Sequence, residues 1–368
     1  MRLMAPDLNS RRARLADWLE LEALTSARRQ ASVSAIRSQV RRVTNERTSP
    51  KEIDADADDT GEPEITERLA DDLEEKLVEE ISFRAMTVGA SYPFELVTAG
   101  KGLSHILKLR SSWMRPESGE LIYVFCLLDS GIRDGLISYP SSARPLVHAI
   151  GNVFQICSCI AVGGYTGAEV VSFGFPRATG SGFLAALQAA WGRYGSFKVY
   201  GAAPYGFDDR LKDGGVDIIA WRHFADRYAA TLIMFVQVAS GLDWKDKEVA
   251  GDVRALRKWF DGPSFDHFLP AICIPFPLWF DMDEPPEDEA GRKLAFTDGV
   301  SNRFVVREGK FGIIFDRGRI ARSCALALTA AAGTAGLPYP VDGIDRVGEV
   351  GAWVEDAMSK LAEVREDA

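Results

Sequence analysis

Two neighbouring apolar segments in the second half of the chain each carry one polar side chain where a buried strand ordinarily has none. Residues 216–221 contain Asp217, and residues 232–239 contain Gln237. Because side chains alternate along a strand, Gln237 and Ala239 share one face of the second segment. A buried carboxylate or an unpaired buried amide costs several kcal/mol, so both groups require partners. The two segments therefore predict adjacent strands whose polar groups share a metal ion or a hydrogen-bond network.

The segments on either side of these strands predict an ordered core. Val170–Phe175 is typical of a strand, and Ser181 is a suitable N-cap for the helix that follows. Gly195 stands where a glycine is preferred at the end of a helix. A strand near Phe197–Tyr200 and a helix from about Trp244 complete the order helix, strand, strand, strand, helix. The apolar face of the first helix consists of Phe183, Leu187, Trp191 and Tyr194.

The apolar pattern outside this core predicts six further elements. An amphipathic helix begins at Ile65, since its apolar residues recur at four-residue spacing. Residues 121–128 form an apolar run that predicts a strand, and a long apolar helix is expected from about Pro145 to Val162. Residues 311–319 predict a strand that ends in a polar turn, and two helices are expected to complete the chain.

Composition divides the chain into four segments. We expect basic helices and an acidic linker over 1–63, and an α+β accessory or sensing domain over 64–169. The core occupies 170–262, and a C-terminal accessory region occupies 263–368. The basic helices and the acidic linker neutralise each other in the simpler interpretation. In the other interpretation the basic helices form an arm that binds nucleic acid.

The overall composition restricts the classes of function. A net charge of −10 disfavours strong DNA binding by the whole surface, because phosphate neutralisation supplies most non-specific affinity. Five cysteines with one close pair predict buried reduced thiols, and four scattered histidines predict no histidine-rich metal site. No apolar run reaches the ~20 residues of a membrane helix, and the N-terminus lacks a secretory layout. We therefore expect a cytoplasmic protein without a membrane partner.

The run Asp213-Gly214-Gly215-Val216-Asp217, an apolar strand, a spacer and a second apolar strand ending in Gln-x-x resembles the PD-(D/E)xK nuclease superfamily. It is most similar to the Mrr-like restriction endonucleases, over roughly residues 180–262. The resemblance implies a mixed α/β fold, in which a restriction-endonuclease-like core of mixed sheet is flanked by helices. Largely helical N- and C-terminal regions would be additional to this core. It further implies that Asp217 binds the metal ion and that Gln237 is the second site residue.

The chain departs from the family at one position. Where the family has a lysine that polarises the attacking water, two residues after the Glu or Gln, this chain has Ala239. Lys245 or Lys247, at the start of the next helix, could reach back into the site, because the role requires only a positive charge near the phosphate. Lys212 or Lys198 could alternatively approach from neighbouring strands.

The resemblance implies a metal-dependent DNA endonuclease, an effector in bacterial defence against foreign DNA. Asp217, Asp213 and Gln237 would hold Mg²⁺ or Mn²⁺, and Asp243 could add a further carboxylate. The metal-activated water would hydrolyse a phosphodiester with the help of Lys245 or Lys247. The alternative is a catalytically inactive nuclease fold that acts as a scaffold or nucleic-acid-binding subunit of a multi-protein complex. A partner protein or a second copy of the chain is expected in either case.

Overall fold

The computed structural model describes residues 1–6, 12–47, 62–99, 104–175, 177, 180–207, 212–226, 231–278, 305 and 307–366. Within these ranges the helices are α1 (Arg12–Thr25), α2 (Ala35–Arg47), α3 (Glu62–Val88), α4 (Glu120–Arg133), α5 (Arg144–Thr166), α6 (Phe183–Tyr194), α7 (Val249–Leu256), α8 (Arg317–Ala332) and α9 (Val347–Glu366). The strands are β1 (Arg2–Leu3), β2 (Gln30–Ser32), β3 (Phe94–Ala99), β4 (Ser104–Leu109), β5 (Ile137–Ser138), β6 (Glu169–Ser172), β7 (Ile218–Arg222), β8 (Leu232–Val238), β9 (Leu269–Cys273) and β10 (Ile313–Phe315).

The central sheet has the strand order β10-β9-β8-β7-β6. Strands β6, β7 and β8 form an antiparallel meander, whereas β9 and β10 continue the sheet in parallel with β8. Helix α7 lies on the crossover from β8 to β9, the kind of connection that parallel strands require. Ile218 pairs with Val236, so Asp217 and Gln237 lie next to each other at one end of two neighbouring strands. The fold is mixed α/β, as predicted.

The two faces of this sheet pack into two different cores. Ile218 and Val236 face the first core, which also contains buried residues of α1 to α5, α8 and α9. Ile219, Phe235 and Ala239 face the second core, which α6 and α7 cover. This alternation is the one predicted for the strands around Asp217 and Gln237. The first core draws on residues from Met1 to Leu361, so one sheet face depends on segments from both ends of the chain.

A buried network of charged side chains joins α1, α3, α4 and α8 beneath the first core. Arg317 donates to both carboxylate oxygens of Asp17, at 2.7 and 2.8 Å, and to Ser130 Oγ at 2.6 Å. Arg84 donates to Asp17 Oδ1 at 2.6 Å and to Glu80 Oε1 at 2.8 Å. All five side chains are buried, so each charge depends on these partners.

Two predicted strands are wrong. Residues 121–128 belong to helix α4, which is buried on every side from Glu120 to Ile132, and a continuous apolar run does not distinguish a buried helix from a buried strand. Residues 197–200 form only an isolated bridge between Val199 and Phe260, because Phe197 adopts a φ of 59° that interrupts an extended run. The first strand of the meander is β6 instead.

Two predicted helix starts are corrected in position. Helix α6 has Gly182 rather than Ser181 at its N-cap, without a side-chain cap. The segment from Trp244 belongs to a 3₁₀ turn over Leu242–Asp246, and α7 begins only at Val249. The end of α6 is confirmed, since Gly195 has a φ of 80° and caps the helix through the Trp191 carbonyl.

The remaining predicted helices are confirmed, including α3, α5, α8 and α9. Residues 141–166, which include α5, are long and apolar enough to cross a membrane by length and composition. However, 72% of the most apolar window is buried within the protein, as in the core helix of a soluble protein. All five cysteines are buried and unbridged, as predicted.

The basic N-terminal helices are paired with α3. Arg37 donates to Glu74 at 2.7 Å and to Glu67 at 3.0 Å, and Arg41 donates to Glu67 at 2.7 Å. Arg12 contacts Glu79 at 3.2 Å. The acidic residues of α3 therefore neutralise these arginines. The acidic linker was expected to do so, but its residues 52–61 lie outside the described residues.

Candidate active site

Asp217 lies directly before β7, where its backbone is held from two sides of the sheet. Its N–H donates to the Val236 carbonyl at 2.9 Å, and its carbonyl accepts from the Gly174 N–H at 2.8 Å. Gln155 of α5 also donates its Nε2 to this carbonyl, at 2.7 Å. The carboxylate is held as well, because Oδ2 accepts from the Val238 N–H at 2.8 Å. Asp217 is thus a fixed group rather than a freely rotating acid.

The electrostatic surroundings of Asp217 disfavour its ionised form. Burial raises its pKa to about 7, and the negative charge of Asp213 acts in the same direction. The Val238 N–H and the positive charge of Lys247 oppose this rise. A buried carboxyl group with a raised pKa gains most from an additional cation, which would favour the ionised form.

Gln237 is buried, with 5% of its surface exposed, and it contacts an acid that sequence reasoning missed. Its Nε2 donates to Asp252 Oδ2 of α7 at 2.6 Å. Its Oε1 is buried and has no hydrogen-bond partner among the described residues. It is one of eight buried side-chain polar atoms of this kind among the described residues, and it is open to a hydrogen bond or a ligand bond from a bound group. Asp252 lies three residues after Val249 on α7, a spacing that could have indicated the same inward helix face.

The glycine pair before β7 leaves room for a carboxylate. Gly215 has a φ of 78°, and a β-carbon at this position would lie 2.3 Å from Asp252 Oδ2. Its N–H donates to Asp213 Oδ1 at 3.0 Å. Gly214 also has a positive φ, of 65°. The group that approaches the backbone closely at Gly215 is therefore the side chain of Asp252.

Gly215→Ala is expected to destabilise the protein by about 1–3 kcal/mol, because alanine adopts this positive φ only with strain and its methyl group would displace Asp252. Urea unfolding measures the change. Gly201→Ala is the matched control, since a β-carbon there meets nothing within 4 Å and φ is not in the left-handed region. Equal stability of the two variants would contradict the close approach at Gly215.

The structure distinguishes the candidate lysines. The charges that act on Asp217 are those of Asp213 and Lys247, and Lys247 also lowers the pKa of Asp252, which burial raises. Lys247 Nζ lies 4.0 Å from Asp243 Oδ2. The positive charge of Lys247 therefore acts on both acids.

The other three candidate lysines have different surroundings. Lys198 is an exposed residue that pairs with Asp261 at 2.6 Å, so its predicted approach to the site is wrong. The backbone carbonyl of Lys245 accepts a hydrogen bond from Lys310 Nζ at 2.5 Å. Lys212 is exposed beside the Phe175 ring, 5.6 Å from its centre, at the start of the Asp213–Gly215 turn.

Ala239, which the resemblance aligns with a lysine of PD-(D/E)xK nucleases, belongs to the apolar packing of the second core. It is 5% exposed and lies in the same cluster as Phe235 and Trp244. Its N–H donates to the Cys273 carbonyl at 2.9 Å, which continues the pairing of β8 with β9. A charged group at this position would have to leave apolar neighbours to reach a substrate.

The predicted metal ligands do not form a closed metal site. Among the described residues, no three histidine, cysteine, aspartate or glutamate side chains are placed to hold one ion. However, Asp217 Oδ1 and Gln155 Oε1 lie 2.8 and 3.3 Å from the position that a β-carbon on Gly174 would take. These two oxygens are hard donors of the type that Mg²⁺ binds, and Gln237 Oε1 is a third such donor, on an amide that is directed toward Asp252 of α7. Mg²⁺ commonly keeps several waters and uses one or two carboxylates plus substrate phosphate, so the donor set fits an ion of this kind.

Two predicted acids have roles other than direct ligation. Asp213 Oδ1 accepts a hydrogen bond from the Gly215 N–H. The negative charge of Asp213 raises the pKa of Asp217 and of Asp252. Asp243 is exposed beside Lys247. Gln155 was missed, although an amide within the long apolar helix α5 is the same kind of signal that marked Gln237 in its strand.

Comparisons with known proteins identify no relative of this chain. The chain matches no protein-family model, no curated protein and no solved structure. Function is therefore argued from the side chains of the site and their surroundings.

Proposed function

We propose that the protein is a metal-dependent nuclease that hydrolyses phosphodiester bonds of nucleic acid. The observation that carries this proposal is the pair Asp217 and Gln237 on adjoining strands. One is a half-buried carboxyl group whose pKa is raised to about 7, and the other is a buried amide whose oxygen lacks a partner among the described residues. Both features are costly for a protein that only has to fold, and a bound cation relieves both.

The described residues have separate roles in this proposal. Asp217 would bind Mg²⁺ or Mn²⁺, with the amide oxygens of Gln237 and Gln155 completing the protein's share of ligands. The ion, when bound, supplies an activated water and neutralises charge on the phosphate. Asp252 holds the Gln237 amide by its hydrogen bond. Lys247 supplies positive charge toward the transferring phosphoryl group from the segment after β8.

The order of elements supports a restriction-endonuclease-like core. Helix α5, the meander of β6, β7 and β8, helix α7 and strand β9 follow one another with α6 inserted between β6 and β7. The predicted order differs from this one, since it placed α6 first and a strand at 197–200 second, whereas β6 precedes α6 and takes the place of that strand. What supports the core is the antiparallel meander between α5 and α7, with Asp217 directly before its second strand and Gln237 on its third.

The nature of the substrate and the biological setting belong to the same proposal. DNA is the expected substrate, and defence against foreign DNA in the cytoplasm is the expected setting. The net charge of −10 and the pairing of Arg37 and Arg41 with α3 favour contact through a local surface. A partner protein or a second copy of the chain would provide additional basic surface.

The test of the proposal is a cleavage assay with Mg²⁺ or Mn²⁺ on single- and double-stranded DNA and RNA, using two matched lysine variants. Lys247→Ala is expected to lower the cleavage rate about a hundredfold, because it removes a charge that acts on the reacting centre. Lys245→Ala, two residues away, is expected to retain the rate within about threefold. Equal losses in the two variants would remove Lys247 from its assigned role, and no cleavage of any substrate would overturn the nuclease proposal.

The second candidate is a catalytically inactive scaffold or nucleic-acid-binding subunit. The observation that favours it is Ala239, which is packed in the second core at the place of the family's lysine. This candidate expects no cleavage with either metal. It also expects a stable complex with a partner protein that carries the active site.

A further inference from the structure

A cavity of about 360 Å³ opens beside the acids, between α6, α7 and the turn that precedes β7. Phe183, Trp259 and Ala255 line one part of it, and Asp213 and Asp252 line another. Gly214 and Gly215 line this cavity, and Asp217 follows Gly215 by two positions in the sequence. Its volume lies at the lower end of the range for small-molecule sites, so it accommodates one compact group and not a folded chain.

The turn at the cavity is fixed by one arginine. Arg177 donates to the carbonyls of Phe173 and Ser181, each at 3.1 Å, and also to the Lys212 carbonyl. It therefore joins the end of β6, the start of α6 and the turn at Lys212. Phe183 and Trp259, which line the cavity, pack edge to face, with ring centres 4.9 Å apart. The cavity is thus bounded by fixed elements on both sides.

The lining selects a ligand with an apolar body and a hydrogen-bond-donating edge. The two rings and Ala255 provide apolar walls, whereas the carboxylates of Asp213 and Asp252 accept hydrogen bonds. These carboxylates would repel a phosphate group at the same place. The exposed Lys212 at the rim supplies the charge that a phosphate outside the cavity requires.

We propose that this cavity receives one unpaired nucleobase of the substrate strand, so that the protein acts on single-stranded or locally opened nucleic acid. The inference rests on the proposed function, because it places a substrate base next to Asp217. Enzymes that hold an extruded base use apolar walls for its faces and polar groups for its edge. An aspartate accepts a hydrogen bond from an exocyclic amine such as that of cytosine. In a duplex the faces of each base are stacked on its neighbours, so only an unpaired base that has left the stack can enter the cavity.

Binding by the Asp217→Asn protein without metal tests the inference independently of cleavage. Fluorescence anisotropy with labelled oligo-dC is expected to give binding about tenfold tighter than a duplex of the same length. Oligo-dT is expected to bind more weakly than oligo-dC, because thymine has no exocyclic amine. An oligo-rC probe distinguishes RNA from DNA as the source of the base.

A substitution that fills the cavity tests whether the base binds there. Ala255 is exposed on α7 and lines the cavity, so Ala255→Trp fills it without disturbing the second core. In the Asp217→Asn background it is expected to weaken oligo-dC binding about tenfold. Ala189→Trp is the matched control, since Ala189 is an exposed alanine on α6 outside the cavity, and it is expected to change binding less than twofold.

The outcomes separate this inference from the proposed function. Equal affinity for oligo-dC and duplex, or binding unaffected by Ala255→Trp, would overturn the base site even if the wild-type protein cleaves DNA. If the wild-type protein cleaves no substrate while the binding pattern holds, the nuclease proposal fails and the base site stands.

Discussion

Asp217→Asn is expected to lower metal-dependent cleavage about a thousandfold, because the amide cannot supply the negative charge that holds the ion. The hydrogen bond from the Val238 N–H can be kept, since an asparagine oxygen accepts it in the same geometry. The measurement is the initial rate on the best substrate over a range of Mg²⁺ and Mn²⁺ concentrations. A loss caused by unfolding is excluded by measuring stability on the same preparation.

Asp217→Asn is expected to raise the stability of the metal-free protein while it lowers the cleavage rate. The pKa of Asp217 is raised from its ordinary value of 3.8 to about 7, mainly by burial. The folded state therefore binds more protons between these two values, and stability falls as the pH rises through this window. Above about pH 7 the penalty is on the order of 4 kcal/mol without metal. Asp217→Asn removes this penalty, so the metal-free variant is expected to be more stable than wild type at pH 8 and similar to it at pH 4.

The control for both measurements is Asp243→Asn. Asp243 is exposed beside Lys247, so its replacement is expected to leave stability unchanged and the rate within about threefold. Cleavage that survives Asp217→Asn would contradict the assignment of the site. A variant that is less stable than wild type at pH 8 would show that the Asp217 carboxylate is structural.

Arg317→Met is expected to destabilise the protein by about 3–5 kcal/mol, the cost of leaving a buried charge without its partner. Burial by itself would raise the pKa of Asp17, yet Arg317 and Arg84 together hold this pKa below its ordinary value. Without Arg317, Asp17 keeps only Arg84, and Ser130 Oγ loses its donor at 2.6 Å. Urea unfolding at pH 7 measures the change.

Arg322→Met provides the matched control on the same helix. Arg322 donates to the Thr87 carbonyl at 2.8 Å, but the interaction is exposed, so its loss is expected to cost less than about 1 kcal/mol. The difference between the two arginines therefore measures the buried network rather than the helix propensity of methionine. A cost below about 1 kcal/mol for Arg317→Met would mean that the network contributes little to folding.

Local patterns predicted the elements in which one periodicity is clear. Helices α3 and α6 were predicted because their apolar residues follow the helix repeat, and strands β7 and β8 were predicted as short apolar runs, each beside one polar residue. Helix α4 was mistaken for a strand because it is buried on all sides and therefore carries no polar face. The strand near Val199 failed because the positive φ of Phe197 is not encoded by any glycine.

The candidate site was predictable only where a polar residue interrupts an apolar strand. Asp217 and Gln237 were found in this way, and the register of β7 and β8 brings them together. Asp252 and Gln155 were missed because their contacts with these residues join positions 15 and 62 residues apart, on helices whose approach to the sheet depends on packing. The choice of Lys247 over Lys245 likewise depends on the turn after β8, which periodicity does not describe.

Gln155 of α5 donates its amide to the backbone carbonyl of Asp217, so helix α5 is joined directly to the candidate site. The same helix packs along α8 and α9, so its position depends on segments in the last part of the chain. We expect that a ligand or partner that binds α8 or α9 and prefers a different position of α5 also displaces Asp217. The free energy of that displacement would not exceed the ligand's preference for one position of α5 over the other.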